Sequence, residues 1–178
     1  MSQVWSEINK VVNVLDPASQ AGTTGLAIET DIVNLKNYKN CTFIVHTGAS
    51  AANTPTITVY GGETSTGATT AIAFNYRTQI ASTGAASLAG GDVPSDLVTT
   101  GTSAGFAITT AKAGGVYIIE VDPSIVCAAD STDQTYDHVK LVLTNTGSTA
   151  TAAAQIYGVL AILSEPRYPQ DILVTAID

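Results

Sequence analysis

The sequence predicts an all-β fold, a β-sandwich or jelly roll of short antiparallel strands with extended terminal arms; a closed barrel is the alternative. Three observations carry this. Seven or more short segments alternate apolar and polar residues with the period-2 signature of half-buried strands. Clusters of Gly, Asn, Asp and Pro separate them at near-regular intervals. No segment shows a convincing amphipathic-helix period, and there is no internal repeat. The chain reads as one domain, residues 1–178, with an N-terminal arm and loop over 1–25 and a tail over 165–178.

Residues 4–15 (Val-Trp-Ser-Glu-Ile-Asn-Lys-Val-Val-Asn-Val-Leu) are ambiguous: Val4, Ile8, Val11, Val12 and Leu15 fit a helical face, but the Val-rich content favours an extended arm or an edge strand. Asp16-Pro17 ends the element either way. After a Gly/Thr/Ala loop, residues 27–36 offer one or two short strands. A turn cluster over 37–40 then leads into a clear strand over 41–46, with Cys41, Phe43 and Val45 on one face. In Thr-Ile-Thr-Val-Tyr (56–60), Ile57 and Val59 point inward until Gly61-Gly62 stops the strand. Residues 71–77 alternate cleanly as one strand, with Ile72, Phe74 and Tyr76 together.

Residues 79–105 are loop-like, with one short candidate strand at 96–100; a weak region of this length suits a surface excursion. Short strands follow at 106–110 and 116–122, the second stopped by Pro123, and 124–127 suits a single helical turn. The organising stretch is 136–163, read as two strands joined by a polar turn containing Asn145 and Gly147. Its first limb puts Val139, Leu141 and Leu143 on one face and His138, Lys140, Val142 and Thr144 on the other. Its second limb, 155–163, is apolar on both faces and suits a strand covered on both sides, by a second sheet or a neighbouring subunit.

The chain of 178 residues is 45% hydrophobic but only 12% charged, about half the usual charged share. Such a surface suits either a Thr-rich sheet or an exterior partly covered by other protein. A net charge of −8, with seven Lys and Arg residues scattered along the length, argues against direct nucleic-acid or anionic-membrane binding. No apolar run reaches the ~18 residues of a membrane helix. The N-terminus lacks a secretory pattern, which predicts a soluble protein made in the cytoplasm. Cys41 and Cys127 lie in apolar contexts and read as buried free thiols, with a disulfide as the alternative.

Candidate chemistry is thin. Gly101-Thr-Ser103-Ala-Gly105 matches the G-x-S-x-G nucleophile elbow, with Asp130 or Asp133 and then His138 downstream in hydrolase order. The elbow needs a helix after the turn, and the residues that follow are β-prone. Asp130, Asp133 and Asp137 share one polar loop that could offer oxygen ligands to Ca²⁺, but their spacing fits no standard loop, and a solvated acidic loop is the simpler reading, as for Asp92 and Asp96. His46 and His138 read as outward surface or interface histidines. The expectation is a non-enzymatic protein with no cofactor and no bound metal.

Five stretches resemble the small head decoration (cement), or capsid-stabilising, proteins of tailed bacteriophages. They are residues 31–46, 71–77 (Ala-Ile-Ala-Phe-Asn-Tyr-Arg), 116–122 (Val-Tyr-Ile-Ile-Glu-Val-Asp), 136–143 and 160–168. The resemblance implies a virion structural protein on the capsid exterior that binds the major capsid protein and stabilises the head, itself a homotrimer. Another phage component (neck, tail or fibre) and a carbohydrate- or receptor-binding sandwich are the alternatives. On this reading both termini cross to neighbours, and Trp5, Arg77, Arg167 and Tyr168 are interface candidates, the arginines otherwise pairing with local carboxylates. Loss of residues 1–15 would then weaken assembly but leave the β circular-dichroism signal intact; loss of the fold would mark that stretch as a core strand.

Overall fold

The computed structural model describes residues 4–20, 25–48, 55–79, 94–100, 105–108, 115–145, 155–167 and 176–177. A single helical turn, α1 (Trp5–Ile8), leads into β1 (Asn9–Gln20), β2 (Ala27–Glu29), β3 (Val33–Asn34) and β4 (Tyr38–Thr47). Next come β5 (Pro55–Gly62), β6 (Thr70–Ile72), β7 (Asn75–Gln79), β8 (Val98–Thr99) and β9 (Phe106–Ala107). The chain continues through β10 (Val116–Val121), α2 (Pro123–Ala128), β11 (His138–Asn145) and β12 (Gln155–Pro166). The fold is an all-β sandwich. The first sheet has the order β1-β12-β4-β10-β7-β8 and the second β2-β11-β5-β6, with β3 also on β11 and β9 also on β5.

One core lies between the sheets. The first sheet supplies Val12, Val14, Cys41, Phe43, Val45, Ile119, Val121, Val159, Ala161 and Leu163; the second supplies Ile28, Val33, Ile57, Val59, Ile72, Val139, Leu141 and Leu143. The inward sets expected from alternation in β4, β5 and β11 are therefore buried, although β11 also buries His138 and Val142, and β5 also Thr58, from the opposite phase. Burial pushes the Cys41 thiol well above its usual range, and Cys127 is half-buried; both cysteines are free.

Three sequence expectations change. The stretch 136–163 is not a strand pair, because β11 belongs to the second sheet, between β2 and β5, while β12 lies in the first, between β1 and β4. The alternating run 71–77 is likewise two strands. β6 pairs with β5 and β7 with β10, and the chain crosses between sheets at Ala73 and the buried Phe74. Nor does Asp16-Pro17 end the first strand. Proline has no N–H to donate, yet β1 continues because the ladder with β12 is already irregular between Asn13 and Leu15 and between Leu15 and Ala18. Pro17 lies over Gly158 of β12, where a Cβ would come within 3.1 Å of it.

Both termini are tied into the chain's own fold. Glu7 folds back on the Val4 N–H at 3.0 Å and closes α1 as one turn, after which the Val-rich run turns to strand. The Val14 carbonyl accepts from the Asp31 N–H at 2.8 Å, stitching β1 to the second sheet. At the other end Ala176 is buried and its carbonyl accepts from the Asn34 N–H at 2.8 Å. At α2, Pro123 stands in the first turn and the Asp122 carboxylate caps the Ser124 N–H at 2.8 Å.

Candidate functional site

The two sheets have opposite kinds of outer face. In an antiparallel ladder, directly opposed residues share a face, so register alone assembles the outer rows. One row of the first sheet runs Asn13, Leu160, Ile44, Ile118, Arg77 across β1, β12, β4, β10 and β7. The next runs Val11, Ile162, Thr42, Glu120, Asn75. Ile156 and Val116 continue the same phase. Val11, Leu160 and Ile156 are 48%, 42% and 40% exposed, and Ile44, Ile118, Ile162 and Val116 are half-buried. These seven aliphatic side chains form a ridge, broken between Ile156 and Leu160 by Gly158 with Pro17 over it, and no other element among the described residues lies over it.

Polar groups edge the ridge. On one side the Asn13 amide donates to the Asp16 carboxylate beside Pro17. On the other, Arg77 Nε stands 4.0 Å from Glu120 Oε1, and Arg77 Nη1 donates to the Ser95 carbonyl at 3.0 Å. The ridge centre carries no charge.

The outer face of the second sheet is more polar, with Thr56, Thr58, Tyr60, Lys140 and Thr144 in the outward phase beside Val142, of which Thr58 and Val142 are buried. Lys140 Nζ donates to Glu29 Oε2 at 2.8 Å. A shallow cleft of about 330 Å³ opens there between Glu29, Tyr60, Ala68, Lys140 and Thr144, and Tyr60 is the one aromatic among its lining residues.

Of the interface candidates, Arg77 stands at the rim of the apolar ridge and pairs locally with Glu120. Trp5 is 54% exposed, on the helical turn just before β1. Arg167 donates to the Tyr38 carbonyl at 3.0 Å rather than to a carboxylate, and Tyr168 lies outside the described residues. The other three stand on different elements, Trp5 on α1, Arg77 on β7 and Arg167 just past β12. Ile44, Ile118, Leu160 and Val11, which form the ridge, were absent from the sequence-level candidates. Their signal was an apolar residue in the outward phase of a strand whose inward phase is already apolar.

The hydrolase constellation does not assemble among the described residues. Ser103 lies outside them, and the residues after Gly105 form the strand β9 on β5 where an elbow needs a helix. His138 corrects the outward reading, because β3 covers it. It is buried, with Nδ1 2.5 Å from Asp137 Oδ1 and Nε2 3.2 Å from Asn34 Nδ2. His46 is exposed, as expected.

Asp130 serves its own loop. Its carboxylate accepts the Thr132 N–H at 2.9 Å, the Asp133 N–H at 3.3 Å, and the Thr135 N–H and hydroxyl at 3.0 Å each. Among the described residues no three His, Cys, Asp or Glu side chains are grouped to hold a metal. These donors, the Thr135 and Thr132 amides foremost, hold the carboxyl down to about 2 from an ordinary 3.8. A depressed acid stabilises the fold above its unfolded value and loses that contribution as pH falls through the folded one. The stability gap between the wild type and Asp130→Asn is therefore expected to narrow from pH 3.8 to about 2. Urea midpoints across that window test it; a constant gap would mean the loop does not favour the charged form.

No helix among the described residues is long and apolar enough to cross a membrane. No family model matches the sequence, and none of the curated proteins does. A solved structure of infectious bursal disease virus, Gx strain, contains a similar chain, 13% identical, over 89% of this protein. The match spans 40% of that chain, and its TM-score of 0.25 is too low to carry an argument about fold or function.

Proposed function

We propose that the chain is a non-enzymatic structural protein of a virion, seated on the outside of the head and stabilising it, with the major capsid protein and further copies of itself as partners. The observation that carries this is the apolar outer face of the first sheet, on a chain only 12% charged. A sheet face of this kind is built to be covered, whereas the face opposite carries Thr56, Tyr60, Lys140 and Thr144, which suit water. Covering Val11, Ile156 and Leu160 would contribute about 1 kcal/mol each, given the area each still exposes. The resemblance of five strand segments to tailed-phage decoration proteins directs the reading to a capsid.

The test is sedimentation of the purified protein with emptied, decoration-free tailed-phage heads. Saturable co-sedimentation and heads that survive osmotic shock better are the expected result. Protein that stays in the supernatant at every ratio, across heads of several types, would overturn the reading.

A further inference from the structure

We propose that the outer face of the first sheet joins two copies of this chain face to face about a twofold axis. This rests on the structural-protein reading above and names the occupant of its surface.

Three features of the face select a second copy. The first is charge. Each chain carries −8, so two copies repel in general. The rows through Leu160 and Ile162 carry Glu120 and Arg77 alone as formal charges, of opposite sign and 4.0 Å apart. The centre of the face, from Leu160 to Ile118, therefore adds nothing to the repulsion, and Asp16, bonded to Asn13, brings its charge only to the edge.

The second is area. Five strands at ~4.8 Å spacing and about eight residues of ~3.3 Å give a flat footprint of about 600 Å² per copy, before side-chain relief is added. That approaches the ~800 Å² a standard interface takes from each partner.

The third is shape. β4 is the middle strand of the five, between β12 and β10. A twofold axis through it sets Ile44 against its counterpart and carries Arg77 and Glu120 to the rim. Charged rims around apolar centres are the usual anatomy of an interface. The two outer faces would pack as aligned sheets about 10 Å apart, as the sheets of a sandwich do.

The experiment is light scattering on the full chain, with Leu160→Glu and, separately, Val11→Glu. Both side chains point outward and are more than two-fifths exposed, so circular dichroism should show the fold intact. The wild type is expected at twice the 18.2 kDa chain mass, and each variant at the single-chain mass at the same concentration. Three outcomes would overturn the pairing: a wild-type monomer, a trimer, or a dimer indifferent to both substitutions. Head sedimentation of the same proteins separates this from the broader reading. A monomer that binds heads and loses binding with Leu160→Glu would give the face to the capsid, whereas a monomer that binds no heads sinks both readings.

Discussion

A protein lacking residues 1–15 is expected to lose its β circular-dichroism signal and aggregate, not merely to assemble poorly. The deletion takes Val12 and Val14 out of the core. Each fully buried valine contributes roughly 1.5–3 kcal/mol, against a total stability of ~5–15 kcal/mol for a typical domain. It also strips β12 of its neighbour from Asn9 to Leu15, leaving a long apolar strand as an open edge. The Val14–Asp31 bond between the sheets goes as well. The measurement is far-ultraviolet circular dichroism with light scattering on the truncated chain. A native spectrum at normal solubility would show that β12 holds its edge alone.

Phe43→Ala is expected to cost ~3–5 kcal/mol, while Ile44→Ala, one residue on, costs under about 1 kcal/mol when measured at a dilution that keeps the chain monomeric. Phe43 is fully buried in the row of Ala161, Ile119 and Tyr76, whereas Ile44 points to the opposite face. Urea unfolding of the two variants measures the difference. Equal losses would mean that β4 does not present one face to the core and the other outward.

Alternation made the inward faces legible in the sequence, and the same alternation hid the topology. In a sandwich both sheets bury towards one middle layer. An inward residue therefore stays inward when the chain changes sheets, and Ile72, Phe74 and Tyr76 read as one strand across a crossover. The partners of β11 and β12 were hidden for a related reason. The Asn-Gly chemistry near 145–147 suggests a hairpin, but which strands pair is decided by packing between residues far apart. His138 fell in the polar phase of its strand and is buried because β3, a hundred residues earlier, lies beside it. The surface site was half legible. The two-sided apolar pattern of 155–163 was visible, but its continuation through Ile44 and Ile118 required the register of three strands.

The order of the strands also bears on how this protein is made. Among the described strands β1 is made first and β12 last, yet they are neighbours in one sheet. About 135 residues separate the end of one from the start of the other, which at ~5–20 residues per second is on the order of ten seconds of synthesis. Throughout that interval the Val-rich first strand lacks its ladder partner among the described strands, and β4 likewise waits for β10 and β12 on its two sides. Closing the first sheet therefore waits on β12, and distant pairing of this kind slows folding. The nascent chain also carries few charges to keep it apart from its neighbours, so yield in overexpression should depend on how slowly it is made and how dilute it is kept.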